Sequence, residues 1–280
     1  MREIQIQEIR NAIKEMCVET NHFLSEDMKN ALIDARITES NLLGKKILKQ
    51  LETNLEIAGN KMIPICQDTG MAVVFAKVGQ EVSIIGGNFE TAINEGIALG
   101  YEEGYLRKSV VNDPLLRVNT GDNTPGIIHT EIVKGNQITL TLTPKGFGSE
   151  NMSRIYMLKP SDGRQGVIEA VVETVREAGP NACPPLVVGV GIGGDFEKSA
   201  QMAKEALTRP INEPAKALHI QELEQEILDK VNQLNIGPGG LGGNTTALAV
   251  HINTYPTHIA GMPVAINLCC HVNRHATRVL

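Results

Sequence analysis

Apolar residues recur at helical spacing through the first sixty positions. Ile6, Ile9, Ile13 and Met16 fall on one face of a helix. A second helix is expected from Ser25 as N-cap through Ala31, Leu32 and Ala35. A third should cover residues 40–57, with Gly59 as its stop. The period then shortens. Residues 63–66 and 72–77 read as short strands on either side of the turn Gln67-Asp68-Thr69-Gly70, and a helix follows over 89–105. Residues 127–133 and 137–143 predict a hairpin joined by Lys134-Gly135-Asn136. An amphipathic helix over 166–178 should end at Gly179, and the β-branched run 186–192 has the character of a strand buried on both faces. Helices are expected over 195–207 and 213–234, and strands over 245–253 and 264–268. This order implies an α+β fold: a helical N-terminal region, about 1–60, followed by a mixed α/β body. No repeat and no clear linker interrupts it, so residues 1–280 read as a single domain.

Charge and composition narrow the function classes. A net charge of −6 without any run of Lys or Arg argues against nucleic acid as a partner. No apolar stretch reaches the length needed to cross a bilayer. The first twenty residues mix acids with bases and do not read as a signal or transit peptide, so a cytoplasmic enzyme is expected. The odd set Cys17, Cys66, Cys183, Cys269 and Cys270 points away from a disulfide framework.

Three of those cysteines sit among residues that bend the backbone. Cys66 lies in Pro64-Ile65-Cys66-Gln67-Asp68-Thr69-Gly70, and Cys183 in Gly179-Pro180-Asn181-Ala182-Cys183-Pro184-Pro185. Cys270 lies in Cys269-Cys270-His271-Val272-Asn273-Arg274. They are far apart in sequence and form no CxxC pair, which excludes a zinc knuckle. Each could instead be a small buried hydrophobe, the role expected of Cys17. Gly191-Ile192-Gly193-Gly194 is an incomplete dinucleotide fingerprint, because position 196 is Phe196; it reads as a tight turn that could hold an anion. The glycine-rich run from Gly237 to Thr246 is either a backbone that approaches a ligand closely or a flexible loop. The loop Lys145-Gly146-Phe147-Gly148-Ser149-Glu150-Asn151 follows a strand, where ligand sites are favoured. Arg107 could clamp a carboxylate or be a solvated cation, and Asp68 could be an acid/base group or a turn cap. His258, between two strands, could be catalytic or structural.

Together these segments, with Tyr105-Leu106-Arg107, Val118-Asn119-Thr120-Gly121 and Pro256-Thr257-His258, resemble the iron-dependent fumarate hydratase/tartrate dehydratase family. The resemblance spans nearly the whole chain after residue 60. It implies a body that carries a [4Fe–4S] cluster held by three thiolates, here Cys66, Cys183 and Cys270. One iron would stay open to act as a Lewis acid. Cys270 is preferred to Cys269 by the family's Cys-x-x-x-Arg spacing to Arg274, and because adjacent residues of an extended segment point opposite ways. The resemblance also assigns substrate contact to Gln67, Asp68 and Arg107, with the Gly148 backbone nearby. Asp68 and His258 are the candidate acid/base pair. The implied activity is reversible hydration of fumarate to malate, with L-tartrate dehydration as the alternative. Single-chain members continue into a smaller C-terminal domain, whereas this sequence stops at Leu280. The expected partner is therefore a separate smaller beta subunit, in a dimer of alpha–beta pairs.

Two other classes compete. An electron-transfer or sensor Fe–S protein would need a fourth ligand, Cys269 or His271. A nucleotide binder would have to use Gly191 to Gly194, where the fingerprint is broken.

Overall fold

The computed structural model describes residues 1–280. In chain order the elements are β1 (Arg2–Gln5), α1 (Ile6–His22), α2 (Glu26–Thr38), α3 (Leu42–Lys61), β2 (Met71–Gly79), β3 (Val82–Ile85), α4 (Phe89–Glu103), β4 (Ile127–Val133) and β5 (Ile138–Lys145). They continue with the single turn α5 (Phe147–Glu150), β6 (Arg154–Leu158), α6 (Gly163–Ala178), β7 (Leu186–Gly194), α7 (Phe196–Ala206), α8 (Leu218–Asn232), β8 (Ala247–Thr257), β9 (Met262–Cys269) and β10 (Ala276–Val279). The fold is α+β, as expected. No helix is long and apolar enough to cross a membrane.

The chain folds into two compact units, each discontinuous along the sequence. The first gathers Met1–Leu24, Leu55–Phe147 and Arg274–Leu280; the second gathers Ser25–Asn54 and Gly148–Asn273. The helical region 1–60 is thus shared between them.

In the first unit, β2 is the centre of a four-stranded sheet ordered β10-β5-β2-β4, and β1 pairs with β3 in a separate parallel ribbon. Alternate residues Ala72, Val74 and Ala76 of β2 join the core formed with Ile9, Ile13 and Met16 of α1 and Ile93 and Ile97 of α4. The two strands 127–133 and 137–143 exist but do not form the expected hairpin. β4 pairs parallel with one edge of β2 and β5 antiparallel with the other. The apolar β2 takes a partner on both edges, and the connecting turn is pinned over its end: Gly79 N–H donates to Gln137 O (2.8 Å) and Gln80 N–H to Val133 O (2.7 Å). Residues 63–66 are irregular where a strand was expected. Gly59 does not stop α3, which continues to Lys61 and ends where Met62 turns left-handed (φ 50°).

In the second unit the sheet order is β6-β9-β7-β8, with β7 parallel to β8 and antiparallel to β9. β7 alternates valine with glycine, and the two faces differ accordingly. Val188 and Val190 join the core with Val171 and Val175 of α6 and Ile227 and Val231 of α8. Gly189 and Gly191 face α7: a Cβ on either would lie 2.1 Å from a main-chain oxygen of that helix. All of Gly191 to Gly194 lies within the strand, where Gly191 and Gly194 pack closely on α7 and Gly193 on the Tyr255 backbone of β8. Asp195 caps α7 by accepting from Lys198 N–H (2.9 Å), which puts a carboxylate where a nucleotide phosphate would have to bind. Helix α8 starts at Leu218 and not near 213, because Ala215 N–H is drawn to the buried Glu224 carboxylate (3.1 Å).

Candidate functional site

In the first unit, the Cys66 loop is held from several directions. Ile65 N–H donates to Asn21 O (2.9 Å). The Asp68 carboxylate caps its own turn by accepting from Gly70 N–H (3.0 Å) and takes Phe147 N–H on its other oxygen (2.8 Å). Arg274, largely buried, donates from Nη2 to Asp68 O (2.6 Å). Gly70 adopts φ 78°, and a Cβ there would meet the Lys145 backbone at 2.8 Å, so no other residue fits. Both the turn-capping role weighed for Asp68 and its place beside Cys66 are therefore real features of this loop.

Arg107 is tied to the same loop. Thr69 Oγ1 accepts from Arg107 N–H (2.9 Å) and donates to Arg107 O (3.2 Å). The buried Tyr101 hydroxyl lies 2.7 Å from Thr69 O and 2.9 Å from Gly70 O. Burial pushes this phenol well above its ordinary range, so it stays neutral and can donate. Asn123, also buried, accepts from Ser109 N–H (2.6 Å) and Val110 N–H (3.2 Å) and donates to Gly70 O (3.2 Å). Cys66 and Asp68 are half-buried, and Gln67 and Arg107 are exposed. The unit thus presents a thiol, an amide, a carboxylate and a guanidinium on two loops stitched together by Thr69. Tyr101 and Asn123 carry the stitching and were not singled out from sequence; nothing local marks them, since their partners lie 13 to 53 residues away.

In the second unit, Cys183 closes the short helical turn Gly179–Ala182 in a left-handed conformation (φ 55°), and its thiol-bearing residue is exposed. His271 N–H lies 3.4 Å and its Nδ1 3.1 Å from Cys183 O, so the backbone next to Cys270 docks on that of Cys183. Gly148 is close by, since a Cβ on it would sit 3.7 Å from Asn181 O. Cys183, Cys270 and Gly148 are therefore brought to one end of this unit.

His258 is not. β8 runs parallel to β7, with Leu186 opposite Ala247 and Gly194 opposite Thr257. Cys183 and Cys270 lie by the Leu186 end, where Val187 pairs with Cys269. His258 follows Thr257 at the other end, roughly 25 Å along the strand direction. It is exposed, and its Nδ1 accepts from Ala260 N–H (3.2 Å).

β9 ends at Cys269 and the chain bends at once, so Cys270 stands just outside the extended segment. The neighbouring Cys269 side chain, followed by burial, pushes the Cys270 thiol well above its ordinary range. Cys269 is buried in the strand and Cys270 half-buried, so accessibility separates them.

Cys183 and Cys270 in the second unit, and Cys66 in the first, offer thiols of the kind an iron–sulfur group takes. No three His, Cys, Asp or Glu side chains gather as a single-ion site requires. Iron–sulfur clusters are held by cysteine thiolates. Cys66 and Cys183 sit in turns with reachable thiols, and none of the five cysteines is in a disulfide. A cationic group beside Cys270 would reverse the upward push on its thiol.

Comparison with known proteins finds matches over nearly the whole chain. The family model described as fumarate hydratase (Fumerase) matches residues 10–279. A protein of Methanocaldococcus jannaschii, named provisionally as an L(+)-tartrate dehydratase subunit alpha, is 42% identical over 277 residues, 96% of each chain. The L(+)-tartrate dehydratase subunit alpha of Escherichia coli is 30% identical over 285 residues, covering 99% of this chain and 93% of the relative.

Proposed function

Because this chain belongs to the fumarate hydratase (Fumerase) family, we propose that it is the alpha subunit of an iron–sulfur hydro-lyase acting on a four-carbon dicarboxylic acid. The observation that carries the reading is the Thr69 stitch, which fixes the Cys66-Gln67-Asp68 loop against the Arg107 loop. It is supported by the docking of the Cys270 segment on Cys183 in the second unit. Cys66, Cys183 and Cys270 would hold a [4Fe–4S] cluster, whose three-ligand binding supplies a Lewis-acidic iron when the cluster is bound.

The residues of the chain have separable tasks in this reading. The exposed Arg107 guanidinium binds a substrate carboxylate by paired N–H donors, which a planar fork does better than an ammonium. Gln67 offers an amide to the second carboxylate or to a hydroxyl. Asp68 is the candidate proton carrier at the carbon bearing hydrogen, and its two backbone donors orient it. Asp68 and His258 remain the candidate acid/base pair, with His258 one sheet length from Cys183 and Cys270 in its own unit.

Fumarate and L(+)-tartrate are both four-carbon diacids and differ in the hydroxyls they carry. The family description favours fumarate, and the names of the two relatives favour L(+)-tartrate. The relatives are named as alpha subunits, so a smaller beta subunit is proposed as partner, in a dimer of alpha–beta pairs in the cytoplasm. The test is an anaerobic assay of the co-purified pair, reconstituted with iron and sulfide, on fumarate, malate and tartrate isomers. Turnover of one diacid and loss of it in Arg107→Ala are expected. An iron-loaded pair inert towards all of them would overturn the proposal. A non-catalytic Fe–S protein, with Cys269 as fourth ligand, would instead show an EPR signal indifferent to every diacid.

A further inference from the structure

The glycine-rich run 237–246 is wound around one buried carboxylate. Glu39, in the link between α2 and α3, is 1% exposed. Its Oε1 accepts from Asn41 N–H (2.9 Å) and Asn244 N–H (3.0 Å), and its Oε2 from Thr245 N–H (2.9 Å). Burial opposes ionisation, but these donors outweigh it and hold the carboxyl below its ordinary range. Gly243 (φ 131°) leaves room for the group, since a Cβ there would lie 2.8 Å from Oε1. Asn244 reinforces the hold by accepting from Ser40 N–H (2.7 Å) and lying 2.8 Å from its hydroxyl.

The same run touches the Cys183 loop at two points. Gly239 N–H donates to Pro184 O (2.8 Å), the carbonyl next to Cys183. Gly240 lies so close to Pro180 that a Cβ would come within 2.3 Å of it. Cys183 N–H in turn donates to Pro180 O (3.0 Å), closing the turn that presents the thiol. A continuous path of short contacts therefore runs from Glu39 through the glycine run to Pro180, Cys183 and Pro184.

We propose that Glu39 is a positioning residue for Cys183: its carboxylate fixes the glycine run, and the run fixes the turn that presents the thiol. The inference rests on the reading of Cys183 as a cluster ligand. In Glu39→Gln one carboxylate oxygen becomes an NH2 facing a backbone N–H, so at least one of the three donors loses its acceptor. In the full metal-free chain, Glu39→Gln should speed amide exchange about tenfold within 237–246 and also within 179–186. After anaerobic reconstitution, iron release to a chelator should accelerate by a similar factor. A core variant of the first unit such as Ile9→Ala should lower the melting temperature while leaving both readouts alone. If Glu39→Gln does not fold, Asn244→Ala, which keeps the carboxylate and removes the Ser40 anchor, should show the same spread to 179–186 in smaller measure. Exchange that accelerates only within 237–246, with iron retained as in the parent chain, would overturn the inference and leave the proposed function standing. A parent chain that takes up no iron would overturn the cluster reading, whatever the exchange shows.

Discussion

Asn123 shows how much a single side chain arranges in the first unit. It is fully buried, adopts φ 66°, and satisfies two N–H groups and one carbonyl from separate segments. Asparagine tolerates the left-handed region better than most residues, which suits it to this corner. Asn123→Ala would strand these groups at roughly 1–3 kcal/mol for each that water cannot reach. We expect a total loss of about 2–4 kcal/mol, read as a lower urea midpoint at unchanged slope. Since Ser109 and Val110 adjoin the Arg107 loop, KM for the diacid should rise more than kcat falls. Asp68 carries a related lesson. Its carboxylate is engaged by two backbone donors, so the turn-capping and chemical roles weighed from sequence are not exclusive.

Among the elements, β7 is the one whose composition most directly sets its surroundings. Its valines face one helical layer, and its glycines let α7 approach the other side. Gly191→Ala would drive a methyl group to 2.1 Å from Ser199 O and force the helix outward. We expect a loss of about 1–3 kcal/mol, as for other overpacked contacts. Gly261→Ala, with nothing within 4 Å, should leave the melting temperature unchanged. Helices α1, α2, α4, α6 and α7 were legible because helical spacing of apolar residues acts within one short window. β1, β3, β6 and β10 were not. Each is four or five residues long, and β1 and β3 earn their strand geometry only by pairing with each other.

For the whole molecule, pH should expose the buried carboxylate. The carboxyl of Glu39 is held below its ordinary value of 4.5, so its contribution to stability is complete above that pH and is lost as pH falls through the folded-state value. Acid unfolding followed by circular dichroism should therefore be less steep in Glu39→Gln, which has no proton to take up; an unchanged acid limb would contradict the assignment. The sequence by itself determined the α+β class, most helices, the central strands and the motif residues, because periodicity, caps and turn chemistry act over a few neighbouring positions. Tertiary structure decided the rest. It set β2 between β4 and β5, put His258 at the sheet end opposite Cys183, and wound the glycine run about Glu39. It also interleaved the chain between two units. In each case the deciding partner lies tens to hundreds of residues away, where no local pattern can specify which strand edge, carbonyl or carboxylate a segment will meet.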